Sequence, residues 1–238
     1  MLNYIKNKKI FALIIALFIF ILAIFDYHSV DKSITIDDKK YIPKFLINLP
    51  KTSKELSYKD ELDFISSIQQ STFNIAPNVG SIPPNQEREP KQVYLAKVAG
   101  CPDRSRLIEK ILIYSGFKTR HISIYSKEKI HSSIIALLTP QVGSHAVVEV
   151  LTKKGWLVVD TNYPWIAIDN NNNPISIKQI RHSLDHAQVI DWKVAPPHGI
   201  YRNSFVYLYG VYSRHGKFYP PYNIIPDINY GEFIQNVF

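Results

Sequence analysis

An unbroken run of apolar residues, from Ile10 to Phe25, limits what this chain can fold into more than any other feature. As a helix the run would span about 24 Å, against about 30 Å for the hydrocarbon core of a bilayer. Lys6, Lys8 and Lys9 precede the run and Asp26 follows it. A buried core helix is the weaker interpretation, because the run has no polar face to meet solvent.

The same segment predicts a location for the rest of the chain. We predict a transmembrane signal anchor over residues 10–27 and a basic cytoplasmic flank over residues 1–9, because positive charge stays in the cytoplasm. No small-x-small cleavage site follows the run, which favours a retained anchor, with cleaved secretion as the alternative. The expected protein crosses a bacterial inner membrane once, with its C-terminal domain in the periplasm or outside.

The overall composition is that of a globular chain and restricts its partners. Apolar residues make up 46% and charged residues 20% of the sequence, which is typical of folded domains. The net charge is +8, but the basic residues are scattered, so no nucleic-acid partner is expected. Cys101 is the only cysteine, which excludes an intramolecular disulfide. We predict no cofactor and leave the oligomeric state open.

After the anchor, the pattern predicts a linker over residues 28–57 and one domain over residues 58–238. Apolar spacing with early carboxylates predicts a helix over residues 58–73. Prolines recur through residues 75–90, which predicts an extended loop.

The expected fold class is α+β, with a helix packed on an antiparallel sheet. The helix pattern is strongest from Cys101 to Phe117, with Pro102 in the first turn and Gly116 near its end. Short alternating or apolar runs predict strands over residues 120–125, 133–138, 145–152, 156–161 and 201–213, with a turn at 169–174 and a short helix over 175–184.

Three side chains could form an acyl-transfer site: the Cys101 thiol, the His145 imidazole and the Asp160 carboxylate. A helix N-terminus carries a partial positive charge and unpaired N–H groups, which stabilise a thiolate. A nearby imidazole would take the thiol proton and later give it to a leaving amine. Each residue alone has a structural interpretation, and only their combination favours chemistry.

The spacing of His145 and Asp160 predicts that they share one face of the sheet. If Lys153 and Lys154 form the turn between two strands, Asp160 opposes Val147 and lies diagonal to His145. That diagonal is about 7–8 Å, within reach of both side chains. The helix that begins at Cys101 is then expected to pack against this same face.

The stretch from Gly100 to Thr161 resembles the transglutaminase-like core, a branch of the papain-like thiol enzymes. The core motifs that carry this resemblance cover residues 99–161. Ala99-Gly100-Cys101, Gly116, Arg120, His145-Ala146 with Glu149, Gly155-Trp156 and Asp160-Thr161 carry the resemblance, in that order. Val147 stands where the family often has an aromatic residue, and Thr161 where it often has proline. The resemblance implies that Cys101 is the nucleophile, that His145 is the general base and acid, and that Asp160 orients the imidazole.

The implied activity is acyl transfer on an amide of a protein or peptide substrate, through a thioester on Cys101. The expected oxyanion donors are the Cys101 backbone N–H and a side chain upstream of it, with Gln92 and Tyr94 as candidates. Gln69 and Gln70 are the weaker candidates.

The sequence leaves the roles of three further residues open. Glu149 either tunes the site or pairs with a cation, and we favour the pairing, while Arg120 is expected to pair with a carboxylate. Trp156 is expected in the core or in the wall of the cleft.

Two other interpretations remain. The domain could be catalytically silent and bind a peptide or glycan at the cell surface. His182 and His186, four residues apart, could also bind zinc on a helix. No third ligand is marked near them, and we predict no metal site.

Overall fold

The computed structural model describes residues 2–46, 56–83, 86–214 and 226–237, with side chains from residue 9 onward. The first helix, α1, covers Leu2–Tyr27. Its segment Lys9–Tyr27 has a mean hydropathy of 2.8, and none of that window is buried against the rest of the protein. The helix is therefore long and apolar enough to cross a membrane. A signal sequence near an N-terminus can be equally long and apolar.

The chain folds as α+β with an antiparallel sheet, as predicted. Further helices are α2 (Ile36–Tyr41), α3 (Tyr58–Ile75), α4 (Pro90–Ala96), α5 (Cys101–Tyr114), α6 (Ser133–Leu138), α7 (Ile177–Asp185) and α8 (Tyr230–Phe233), with 3-10 turns at Ile42–Lys44, Gly199–Arg202 and Ile234–Asn236. The strands are β1 (Lys118–Ser126), β2 (Ser144–Thr152), β3 (Gly155–Val159), β4 (Phe205–Tyr209), β5 (Val211–Tyr212) and β6 (Asp227–Ile228).

The main sheet has the order β3-β2-β1-β4, and its neighbouring strands are antiparallel. Thr152 pairs with Gly155, so Lys153 and Lys154 form the turn between β2 and β3. Val148 pairs with Val159, and the same register puts Val147 opposite Asp160 just past the end of β3. The predicted even-length turn is thus confirmed.

The two faces of the sheet carry separate apolar clusters. On one face, α5 packs through Leu107 and Ile111 against Val148 and Val159. On the other, Val147 and Val158 pack with Trp165, Ile177, Ile180 and Tyr201. Residues 145 and 160 alternate in step with Val147 and Val158, so they belong to the face opposite α5.

This arrangement corrects the expectation that α5 packs against the face of His145 and Asp160. The body of α5 packs on the opposite face. Its first turn, which carries Cys101 and Arg104, lies near His145 and Asp160, because β2 begins and β3 ends at that end of the sheet.

The segment predicted as a linker over residues 28–57 packs in part against the domain. Val30, Ile42, Phe45 and Leu46 are buried, and the last three belong to the core that contains α5. The carboxylate of Asp38 accepts a hydrogen bond from Lys110 Nζ on α5 at 2.8 Å. The polar composition of the segment suggested a solvated stalk, but two of its charged residues, Asp38 and Lys32, pair with buried charges of the domain. Residues 47–55 lie outside the described residues.

The strand predicted over residues 133–138 is wrong, because this segment is α6. Ser132 caps the helix by accepting a hydrogen bond from Ile135 N at 3.4 Å. The fourth strand of the main sheet is instead β4, from the predicted run at residues 201–213. That run is broken at Gly210, which has a φ of +70°, and a Cβ atom at this position would lie only 2.6 Å from Asn229 O.

Candidate functional site

Cys101 is the first residue of α5, and the residues around it fix that position. Gly100 is the N-cap, and the carboxylate of Asp103 accepts hydrogen bonds from Gly100 N at 2.8 Å and Ile82 N at 3.0 Å. The Cys101 side chain is partly exposed. Its backbone N–H lies in the first helical turn, where such groups have no intrahelical acceptor. The start of α5 therefore offers a reachable thiol beside a free backbone donor.

The structure brings Cys101, His145 and Asp160 together. The His145 Nε2 atom lies 2.9 Å from Asp160 Oδ2, and both side chains are fully buried. The Cys101 side chain lies close enough to the His145 ring to help raise the pKa of that ring. The buried Nδ1 atom of the ring has no hydrogen-bond partner among the described residues. One ring nitrogen therefore binds the carboxylate, and the other is left without a partner.

The charges of His145 and Asp160 stabilise each other. Burial disfavours the charged imidazolium, but the Asp160 carboxylate and the Cys101 thiol outweigh it and raise the pKa of His145 to about 10. Burial also disfavours the Asp160 carboxylate, yet His145, Tyr201 and the backbone of Asn162 lower its pKa to about 2. The site is therefore built to hold an imidazolium beside a carboxylate.

Asp160 is held at both of its oxygens. Oδ1 accepts hydrogen bonds from Asn162 N at 2.6 Å and Tyr163 N at 2.9 Å. Oδ2 accepts one from the Tyr201 hydroxyl at 2.7 Å, in addition to His145. With these donors the carboxylate has a single orientation, and so has the ring it binds. Sequence reasoning missed Tyr201, because nothing local to it distinguishes its hydroxyl from those of the other tyrosines.

His198 is a second residue that sequence reasoning missed. Its ring stacks on the His145 ring with a centroid separation of 4.4 Å and an angle of 7° between the planes. Burial and the positive charge of His145 lower the pKa of His198 to about 4. Its Nδ1 accepts a hydrogen bond from Ile200 N at 3.2 Å. A neutral imidazole therefore covers one side of the His145 ring.

Arg104, one turn after Cys101, is a third missed residue. Its guanidinium is fully buried and donates to Thr161 O, to Ala99 O at 2.5 Å and to Asn162 Oδ1 at 2.6 Å. Burial lowers the pKa of Arg104, and the nearby charges of Cys101, Asp103 and Asp160 oppose that shift. The sequence feature that marks Arg104 as a site residue is its position in the first turn of a helix that begins at the only cysteine. It joins the start of α5 to the loop that follows Asp160.

The predicted side-chain donors for an oxyanion make their contacts elsewhere. Gln92 Nε2 donates to Glu87 Oε2 at 2.9 Å, and Tyr94 packs against the rings of Tyr41 and Phe45. Gln70 bonds to Asn74 on the surface. These side chains point away from the thiol because α3 and α4 turn them to other partners.

Gln69, a weaker candidate for the oxyanion donor, also has a different role. Its buried amide donates to Asp160 O at 2.7 Å and to Trp165 O at 2.8 Å. It therefore fixes the backbone of the loop that carries Asp160, and this fully engaged amide is not an oxyanion donor.

Glu149 and Trp156 lie apart from the three central residues. Glu149 is buried and accepts hydrogen bonds from Arg120 Nε at 2.7 Å and Ile177 N at 2.6 Å. Pairing with a cation is therefore its observed role, and Arg120 pairs with a carboxylate as expected. The Trp156 ring lies 3.9 Å from the Arg120 guanidinium carbon, about 13 Å along the strand from Asp160. Neither side chain forms a wall beside Cys101.

In the described part of the chain, no three His, Cys, Asp or Glu side chains converge in a way that could hold a metal ion. His182 on α7 and His186, the residue that follows the end of α7, have ring centroids 4.1 Å apart. The His186 Nδ1 atom lies 2.8 Å from His182 O.

Comparison with known proteins gives no relative for this chain: no family model, no curated protein and no solved structure matches it.

Proposed function

We propose that this protein is a cysteine-dependent acyltransferase or hydrolase that acts on an amide through a thioester on Cys101. The observation that carries the proposal is the convergence of three side chains: His145 Nε2 lies 2.9 Å from Asp160 Oδ2, and Cys101, at the start of α5, lies close enough to the same ring to raise its pKa. The proposal also assigns the domain to the papain-like and transglutaminase-like fold. The order of its motifs and the position of the cysteine at a helix start beside a sheet edge support that assignment.

The proposed reaction begins with the thiolate of Cys101 and the imidazolium of His145. The sulfur attacks the amide carbonyl carbon and forms a C–S bond, while the carbonyl oxygen becomes an oxyanion. The Cys101 backbone N–H and the partial positive charge of the helix start stabilise that oxyanion. His145 then gives its Nδ1 proton to the leaving nitrogen, the C–N bond breaks, and a thioester and a free amine remain.

In the second half-reaction, water or an amine attacks the thioester carbonyl carbon. His145 Nδ1 takes the proton of the attacking group, and the sulfur leaves as the thiolate beside the regenerated imidazolium. Asp160 keeps its charge throughout and holds the ring. Hydrolysis and transamidation differ only in which acceptor enters, and a protein or peptide amide is the proposed substrate class.

The proposed location is the outer side of a bacterial inner membrane. α1 would be the single transmembrane anchor, with the lysines before it in the cytoplasm. The domain after residue 27 would then face the periplasm. A cysteine without an intramolecular partner can stay a free thiol there.

The test is the rate at which a thiol-directed electrophile labels Cys101 in folded protein. We expect His145→Gln to slow labelling by about a hundredfold, which is the scale of acid–base assistance. The matched control is His186→Gln, on an exposed histidine remote from the site, which should label like wild type. Equal labelling of wild type and His145→Gln would contradict an activated thiolate.

A second measurement separates an enzyme from a silent binding module. Incubation with a library of peptide amides should leave an acyl adduct on Cys101 that hydroxylamine removes, detectable by mass spectrometry. Cys101→Ala should show no adduct. An activated thiol with no adduct from any amide would favour the silent module, in which the cleft only binds its peptide or glycan.

A further inference from the structure

The end of α1 is joined directly to the C-terminal part of the domain. Val30 N donates to Ile228 O, and Ile228 N donates to His28 O, both at 2.9 Å. His28 Nδ1 also lies 3.0 Å from Asp227 Oδ1. These bonds leave no flexible spacer between the apolar helix and the domain. One side of the domain therefore lies close to the environment into which α1 inserts.

A side-chain contact shows which part of the domain lies at that level. The Phe25 and Tyr230 rings have centroids 6.4 Å apart. Phe25 belongs to the apolar segment Lys9–Tyr27, and Tyr230 is the first residue of α8. If α1 enters a bilayer, the start of α8 therefore lies where the bilayer ends.

The segment that begins with α8 presents apolar side chains to the outside. Tyr230 is 44% exposed, Ile234 55% and Val237 74%. Their spacing of four and three residues puts them along one side of a helical segment. The opposite side is fixed inward, because Glu232 is buried and its carboxylate accepts a hydrogen bond from the Tyr212 hydroxyl at 3.0 Å. We call Tyr230, Ile234 and Val237 the C-terminal apolar face.

Cationic side chains border this face. Lys178 and Arg181 of α7 and Arg120 of β1 line a groove of about 610 Å³ together with Ile234 and Val237. Arg120 and Arg181 also pair with Glu149 and Asp185, which leaves the groove rim cationic at Lys178. Apolar side chains next to a cation match the acyl and phosphate layers at the surface of a bilayer.

We propose that the C-terminal apolar face lies in the headgroup layer of the bilayer that α1 enters, so that the domain is docked on its own membrane. The inference rests on the proposed role of α1 as an anchor. It goes beyond that role because a single helix would tether the domain without fixing its orientation. Docking at Tyr230, Ile234 and Val237 orients the whole domain relative to the bilayer.

The test uses the single cysteine of the chain. In full-length Cys101→Ser protein, an environment-sensitive fluorophore is attached through Ile234→Cys and, as a matched control, through Val189→Cys, which is 96% exposed in the loop after α7. The protein is reconstituted in vesicles of phosphatidylcholine and phosphatidylglycerol with and without nitroxide-labelled lipid. We expect a blue shift and a loss of intensity with nitroxide lipid at position 234, and neither at position 189.

A third label, at Leu17→Cys, reports on the anchor alone. Quenching of the label at position 17, together with water-like emission from the label at position 234, would overturn the docking proposal and leave the anchor proposal in place. Absence of quenching at 17 would overturn both proposals. A blue shift at 234 that depends on protein concentration and not on nitroxide lipid would assign the face to a second copy of the chain and also overturn the docking. Because the fluorophore itself is apolar, Val237→Asp in the protein labelled at 234 must reduce the quenching.

Discussion

Tyr201 donates its hydroxyl proton to Asp160 Oδ2 over 2.7 Å, the same oxygen that lies 2.9 Å from His145 Nε2. Two donors on one oxygen fix the direction of the carboxylate. The imidazole bound to this oxygen is therefore held in one orientation, and its Nδ1 atom has no hydrogen-bond partner among the described residues.

Tyr201→Phe is expected to lower the free energy of unfolding by about 2 kcal/mol, because a hydrogen bond to a buried charge is lost. Labelling of Cys101 should slow at the same time, since the His145 ring loses a constraint. Urea unfolding and electrophile labelling measure the two effects. Tyr163→Phe, on an exposed side chain of the same loop, is the control. A variant that labels and unfolds like wild type would show that the hydroxyl contributes nothing.

The pair of His145 and Asp160 should make stability depend on pH in a defined window. The raised pKa of His145 stabilises the fold fully below its unfolded value of about 6.5, and this stabilisation is lost as the pH rises through about 10. The lowered pKa of Asp160 stabilises the fold above its unfolded value of about 3.9, and this is lost as the pH falls through about 2. The contribution of the pair is therefore largest between about pH 4 and 6.5.

The measurement is urea unfolding of wild type and Asp160→Asn at a series of pH values. Their difference should be greatest in that window and shrink towards alkaline pH. Asp185→Asn, which removes a surface ion pair with Arg181, should show no such dependence. A difference that stays flat from acid to alkaline pH would rule out the charged pair.

His198→Ala is expected to slow labelling of Cys101 about fivefold, because an aromatic pair of this kind contributes about 1 kcal/mol. His198→Phe should retain most of the rate, since a flat ring can still cover His145. If the alanine and phenylalanine variants label at the same rate, the stacking of the two rings has no role.

Arg104→Met is expected to lower the free energy of unfolding by about 3 kcal/mol or more, because the buried carbonyls of Ala99 and Thr161 lose their donor. Arg104→Lys should also destabilise the domain but keep more of the labelling rate, since it retains a positive charge near the thiol. Arg181→Met on the surface of α7 is the control. Equal labelling rates for Arg104→Met and Arg104→Lys would show that the charge near Cys101 does not matter.

Phe45→Ala tests whether the segment after α1 is part of the domain. Phe45 is fully buried in the cluster that contains α5. Its truncation should cost about 3–5 kcal/mol of unfolding free energy. Ile36→Ala, at a side chain that is 87% exposed, should change it by less than about 0.5 kcal/mol. A similar small effect for both would restore the linker interpretation.

The sequence predicted those features that depend on local periodicity. The start of α5, the turn at Lys153-Lys154 and the shared sheet face of His145 and Asp160 follow from caps and from alternation along two adjacent strands. α6 could not be distinguished from a strand, because a short apolar run fits both and only its neighbours decide.

The features that were missed depend on contacts between distant parts of the chain. Tyr201 and His198 reach the site from a 3-10 turn whose position follows from the packing of β4. The segment around Asp38 is polar in sequence, and its burial becomes visible only when Lys110 on α5 is placed beside it. No periodicity within a short window contains that information.

The pairing of residues 28–30 with Ile228 also fixes an order of events during synthesis. Residues 28–30 are made early and must wait for a partner almost 200 positions later in the chain. Until residues 227–232 have been made, β5 has no strand to pair with, and Lys32 lacks the carboxylate of Glu232. The junction between α1 and the domain can therefore close only after the C-terminal segment has been made, and a chain cut before residue 226 would leave α1 attached to an unfinished domain.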